Sequence, residues 1–242
     1  MFKAFKVKEY VDLGVVRARV EIMKTALVIG ASGGIGSAMV QELKARGFTV
    51  TGLSRRINGL DVTDATSVRQ VMEPLNGPFD VVFIAVGTLA AGGTPEKALR
   101  SMDPAKMTDV FAVNAVGPAL VLAQVERLLP RERPSFVGVL SARVGSIGDN
   151  KIGGWYSYRA SKAALNQIVH GAAIEIGRSH KESKVVALHP GTVETSFTAN
   201  YAGRHKTVSA DQAVRNLLTV CEALTPDQSG GFFAYDGSKI AW

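Results

Sequence analysis

A single cysteine, Cys221, stands among 242 residues, so no internal disulfide can form and nothing in the chain calls for an oxidising compartment. Cys221 lies in an apolar helical pattern and reads as a small core residue, not a nucleophile. No apolar run reaches the roughly 18 residues needed to span a bilayer, so no membrane partner is expected. The N-terminal stretch lacks the apolar core of a secretory signal, and Glu9, Asp12 and Glu21 are out of keeping with an acid-poor transit peptide. A cytoplasmic location is the resulting expectation. Aromatic residues are sparse, and no stretch interleaves them with basic ones. The excess of 28 Lys and Arg over 21 Asp and Glu is scattered along the chain. That scatter argues against a nucleic-acid partner and for an anionic small molecule. Nor is there an internal repeat, a low-complexity tract or an interdomain linker. The 46% hydrophobic content suits one large domain with a sizeable core.

Residues 1–22 alternate basic and apolar side chains ahead of Met23, and the first strand-like run follows Met23 almost at once. They are expected to be an N-terminal extension that is not native, with the domain spanning residues 23–242.

Residues 25–29 (TALVI) form a short apolar run of the kind buried in parallel sheets. Gly30-Ala31-Ser32-Gly33-Gly34-Ile35-Gly36 follows, and then a helical pattern to Gly47. Strand, glycine turn and helix N-terminus together make a phosphate cradle, because backbone can approach a pyrophosphate and the helix N–H groups favour negative charge. Gly30, Ser32, Gly34, Ile35 and Gly36 are the candidate contacts. The second strand, residues 48–53, ends at Ser54-Arg55-Arg56. An NAD site offers a carboxylate to the ribose at this point, whereas an Arg grips a 2′-phosphate. NADP(H) is therefore expected over NAD(H), with Arg55 as first choice and Arg56 second.

Only residues 55–59 separate that strand from Leu60-Asp61-Val62. A crossover between parallel strands takes about a dozen residues. Either the helix between strands 2 and 3 is missing, or residues 60–62 pair only briefly at the sheet edge. Further strands at 79–85, 135–141, 184–188 and 231–235 alternate with helical patterns at 63–74, 106–129, 155–178 and 210–223. This alternation predicts an α/β, doubly wound parallel sheet of Rossmann type in a single domain.

Tyr158 and Lys162 sit four apart, which on a helix puts both on one face, one turn apart. An ammonium beside a phenol favours the phenolate. Tyr158 is therefore expected to titrate below its ordinary value of about 10 and to exchange a proton near neutral pH.

Taken in order, Gly30-x-x-x-Gly34-x-Gly36, Asp61-Val62, Asn114, Tyr158-x-x-x-Lys162 and Pro190-Gly191-x-Val193-x-Thr195 make residues 24–242 resemble a short-chain dehydrogenase/reductase. The run GGWYSYRASK and the Tyr-Asp-Gly ending are similar to the C-factor-like, carbonyl-reductase-type branch. The resemblance implies an NADPH-dependent oxidoreductase acting on a small-molecule carbonyl or alcohol. Tyr158 would be the general acid. Lys162 would hold the nicotinamide ribose, and Asn114 would position a water in the proton relay. Asp61 and Val62 would meet the adenine, Ala85 and Gly87 the adenine-ribose channel, and Pro190, Val193 and Thr195 the carboxamide and phosphates. No metal is implied. A homodimer or homotetramer, paired through the Asn114 and Tyr158 helices, is implied as well. Residues 89–93, 146–155 and 197–205 are expected to line the substrate pocket.

One position departs from the family. Its catalytic Ser precedes a Gly by three residues at the end of the fifth strand, and counting back from Gly145 gives Ala142. Ser141 is the expected substitute, with Ser146 the alternative. The departure also motivates a second reading, a dinucleotide-binding signalling or scaffold protein with little turnover.

Overall fold

The computed structural model describes residues 24–194 and 207–242. Thr195, the expected pocket segment 197–205 and residues 1–22 lie outside the described residues.

Six strands form one parallel sheet: β1 (Thr25–Ile29), β2 (Thr49–Leu53), β3 (Val81–Ile84), β4 (Ser135–Leu140), β5 (Ser183–His189) and β6 (Phe232–Ala234). Their order is β2-β1-β3-β4-β5-β6. Alternate residues of each strand face opposite sides, and both sides are covered. Leu27, Ile29, Val82, Ile84, Val137 and Val139 pack under α3 (Ala65–Met72), α5 (Gly117–Val125) and α6 (Tyr156–Ser179). Ala26, Val28, Phe83, Phe136 and Val186 pack under α1 (Gly34–Ala45) and α7 (Ala210–Ala223), where Cys221 is buried.

The strands are nearly flush at their carboxyl ends. Ile29 is level with Leu53 and Ile84, Ile84 with Val139, Leu140 with Leu188, and His189 with Ala234. Every residue that follows a strand, from Gly30 through Ala85 and Ser141 to Pro190, is thereby delivered to one edge. The order turns outward in both directions from the β1/β3 boundary, which is where such sheets open a ligand crevice.

The expectation for residues 60–62 is corrected, since they form no strand. The five residues before them close into a single helical turn, α2 (Arg55–Asn58). Ser54 caps it by accepting from the Ile57 N–H, and Gly59 ends it in the left-handed region at φ 71°. Leu60 then turns into the core at 3% exposure, and Asp61 folds its carboxylate onto Thr63. β2 is left as the sheet's edge strand. The connection onward runs through α3, started by Asp64 accepting from the Thr66 N–H.

The expectation from apolar run length also needs correcting. The continuous helical stretch Pro104–Leu128 has a mean hydropathy of 1.4 over its best window, long and apolar enough by composition to cross a membrane. Here Val110, Val121, Val125 and Leu128 turn into the protein core. The stretch consists of α4 (Pro104–Phe111), a π-helical turn at Ala112–Val116, α5 and a final 3-10 turn.

Candidate active site

At the carboxyl end of β1, Gly30 takes φ 85°, and its N–H donates to the Leu53 carbonyl. A Cβ on Gly30 would lie 2.4 Å from the Ala85 carbonyl oxygen, and one on Gly36 would lie 2.1 Å from the Gly30 oxygen. Both glycines are therefore required by backbone contact, which seats the turn against β3. No side chain caps α1 at Gly33, and no acidic residue lies in its first turn. The N–H groups and positive end of α1 are left to an anion at the switch point of the sheet. The residues present thus fit a dinucleotide pyrophosphate. Ser32 is exposed beside this turn and Ile35 half-buried.

Arg55 and Arg56 lie exposed at the start of α2, with only Ser54 between them and the end of β2. The Asp61 carboxyl is held below its usual range, mainly by the Thr63 hydroxyl, with the Arg55 charge a smaller contribution. Val62 closes over Gly117, where a Cβ would come within 2.8 Å of the Val62 side chain. Asp61, Val62 and Arg55 thus gather at one end of the crevice. At its other end Pro190 and Val193 are buried, and Val193 bridges to Val208.

Tyr158 and Lys162 occupy successive turns of α6, at 6% and 3% exposure. Lys162 Nζ donates to the Leu140 carbonyl at 2.9 Å. Gly87 faces it: a Cβ there would stand 3.4 Å from both Lys162 Nζ and Asn114 Oδ1. Burial pulls the Lys162 ammonium down to about 8. Burial also pushes the Tyr158 phenol above its ordinary value, opposite to the sequence expectation. The physical reason is that both groups sit in the interior, where losing water penalises each charged form.

Asn114 lies wholly buried within the π-helical turn. Its Oδ1 accepts from the Thr88 N–H at 2.7 Å, and its Nδ2 donates to the Thr88 carbonyl and to Ser161 Oγ. Ser161 Oγ in turn donates to the Tyr158 carbonyl. Asn114 thus fastens the segment after β3 to the Tyr158 helix. A π turn shifts backbone pairing by one residue and recurs at functional sites.

The Ser141 expectation meets a different geometry. Its hydroxyl donates to Asn166 Oδ1 at 2.6 Å, within the interior, so its one proton is directed along α6 away from the Tyr158 turn. Ala142 follows in extended conformation at φ −147°. Ser146 accepts from the Asp149 N–H. Neither Ser is placed by these bonds on the Tyr158 hydroxyl.

Two residues escaped the sequence reading. Asn166 continues the Tyr158–Lys162 face by one more turn, and that spacing was legible. Glu96 binds the start of α6 from 61 residues upstream, and no local pattern announces such a contact. Of the expected pocket, residues 89–92 line a cavity of about 320 Å³ together with Glu96, Lys106 and Ser157.

A parallel sheet with a glycine cradle at its switch point, and a buried Tyr-Lys pair on the same edge, defines a dinucleotide-dependent oxidoreductase. The profile of the short chain dehydrogenase family matches residues 24–205. The chain belongs to that family and is NAD(P)-dependent. It is similar to 1-hydroxy-2-glutathionyl-2-methyl-3-butene dehydrogenase of a Rhodococcus strain, at 32% identity over 91% of this chain and all of that one. It is also similar to C-signal of Myxococcus xanthus, at 35% identity over 69% of this chain and 94% of that one. Among solved structures, a short-chain dehydrogenase/reductase from Burkholderia multivorans with bound NADP superposes with a TM-score of 0.78. It is 27% identical over 91% of this chain and 100% of that chain.

Proposed function

We propose that the protein is an NADPH-dependent reductase of small aldehydes or ketones, with Tyr158 as the general acid. The observation that carries the reading is the pinned Lys162 ammonium, 2.9 Å from the Leu140 carbonyl and one helical turn from a buried, neutral phenol. NADP(H), when bound, supplies the hydride. Tyr158 gives its proton to the carbonyl oxygen, a step for which a phenol kept protonated is suited. Lys162 would hold the ribose, and its ammonium charge stabilises the phenolate left on Tyr158 once the proton has gone to the carbonyl oxygen. The Asn114 side chain is committed to Thr88 and Ser161, so a relay water there meets main-chain groups. Arg55 grips the 2′-phosphate, which sets NADP(H) above NAD(H), and the NADP-bound Burkholderia relative supports that preference. Asp61 and Val62 receive the adenine, Ala85 and Gly87 the ribose, and Pro190, Val193 and Thr195 the carboxamide side. Pairing of copies through the Asn114 stretch, Pro104–Leu128, and α6, and a cytoplasmic location, belong to the same reading. Val116, at the end of the π-helical turn that leads into α5, and Ile174 on α6, exposed at 49% and 55%, support the pairing.

The test is loss of NADPH absorbance with a panel of small carbonyls. Tyr158→Phe should abolish it while leaving NADPH affinity nearly unchanged. Wild-type-like turnover in that variant refutes the mechanism. The similarity to C-signal and the Ala142 departure favour a second reading, a dinucleotide-binding signalling protein with little turnover. Measurable NADPH binding with no reduction across the panel selects it.

A further inference from the structure

The catalytic helix starts badly by its own sequence. Gly153, Gly154 and Trp155 enter α6 with φ of 69°, 65° and 53°. Trp155, the N-cap, is the one non-glycine residue with positive φ among the described residues, and its side chain makes no capping hydrogen bond. The first turn of α6 carries no acidic residue. A helix that begins this way offers no N-cap side chain and no first-turn carboxylate to its first N–H groups, and the turn that holds Tyr158 gains no support from its own N-cap.

The missing cap arrives from elsewhere. The Glu96 main-chain carbonyl accepts from the Trp155 N–H at 2.6 Å. One Glu96 carboxylate oxygen accepts from the Ser157 N–H at 3.3 Å, and the other from the Ser157 hydroxyl. Burial pushes the Glu96 carboxyl up, but the Ser157 hydroxyl and N–H, the Glu96 main chain and the Lys106 charge together outweigh it and leave the group below its usual range. Glu96 is therefore an anion at the positive end of a 24-residue helix, the favourable placement for that charge. Glu96 also borders the cavity of about 320 Å³ lined by Ala90, Gly92 and Lys106.

We propose that Glu96 is a positioning residue for Tyr158: it caps α6 across 61 residues of chain and holds the turn that carries the phenol in register with Lys162 one turn later. The Glu96 bonds end on Trp155 and Ser157, so its effect passes through the helix backbone. The proposal rests on the reductase reading for its kinetic arm only.

The experiment uses the full chain with Glu96→Ala and Glu96→Gln. Because reacting groups displaced by an ångström lose rate steeply, Glu96→Ala should lower kcat for carbonyl reduction about ten-fold or more. NADPH affinity should stay within about two-fold, since the glycine cradle and Arg55 are untouched. Glu96→Gln keeps an acceptor oxygen and should hold kcat within about three-fold of the parent. Amide hydrogen exchange over residues 156–159 should quicken about ten-fold in the Ala variant and stay near the parent rate in the Gln variant. This readout needs no turnover, so a chain that reduces no carbonyl defeats the reductase reading, while the exchange rates still decide the capping claim. Unchanged exchange in Glu96→Ala overturns the proposal, as does quickened exchange with undiminished kcat, or a Gln variant as impaired as the Ala one. Should Glu96→Ala fail to fold, Ser157→Ala removes the hydroxyl partner from the helix side. The same exchange experiment then decides, with no acceleration counting against the proposal.

Discussion

Ser141→Ala separates two roles for one hydroxyl. In the structure Ser141 Oγ donates to Asn166 Oδ1 at 2.6 Å, and Asn166 Nδ2 is already a buried donor without a partner. Removing the hydroxyl strips the Asn166 amide of its remaining bond at a site with 2% exposure. Leaving such a group unsatisfied costs about 1–3 kcal/mol. For a domain of this size that corresponds to a fall in Tm of roughly 3–10 °C. Turnover should hardly change, with kcat/KM within about three-fold of the parent, because no proton aimed at the substrate oxygen is lost. A second substitution checks the cause. Ser141→Ala combined with Asn166→Leu removes both polar partners and should recover much of the lost stability, as paired apolar replacement does. Differential scanning calorimetry and steady-state kinetics read both arms. Were Ser141 instead the donor to the substrate oxygen, its loss would cut kcat by about 10²–10³. A fall of that size with an unshifted Tm refutes the assignment.

Three further outcomes are expected. Arg55→Ala should weaken NADPH about ten-fold, the loss of one charge-assisted phosphate contact, and leave NADH within about two-fold; equal losses in titration calorimetry would overturn the 2′-phosphate argument. Gly36→Ala places a Cβ 2.1 Å from the Gly30 oxygen and should abolish dinucleotide binding in the same titration; full affinity would show that the turn is not seated as described. As for pH, Lys162 is pulled by burial to about 8, charged below that pH and neutral above it, while the phenol stays protonated beyond its ordinary range. Carbonyl reduction should therefore hold level up to about pH 8 and decline above it, whereas alcohol oxidation, which needs the phenolate, should rise with alkalinity; a reduction rate level or climbing through pH 9 would contradict the Lys162 shift, and a reduction rate already falling well below pH 8 would contradict that of Tyr158.

Much of the fold was legible where local rules and tertiary structure agree. Ala210–Ala223 coincides with its sequence expectation, because Ser209 caps its start and Pro226 follows close on its end. β1, the glycine turn and α1 were equally plain, since an apolar run met turn chemistry in a strand-helix order. Residues 60–62 misled because three residues with apolar ends read the same whether they pair in a sheet or, like Leu60, simply drop into a core. In the site, the one-turn spacing of Tyr158 and Lys162 was visible, but the direction of the phenol's shift was not. Spacing reports proximity, whereas the shift depends on burial, which only the assembled fold supplies. Glu96 went unread for a related reason, as did the partner of Asn166. A cap brought from another loop and a hydroxyl-amide pair between β4 and α6 join residues that no sequence window contains together.

The contact of the Gly36 backbone with the Gly30 carbonyl makes the turn part of the scaffold itself. Its shape is decided before any nucleotide arrives. With Arg55 reading the 2′-phosphate, as proposed, redesign of cofactor choice would be confined to residues 54–56, leaving the pyrophosphate end as a fixed, reusable module.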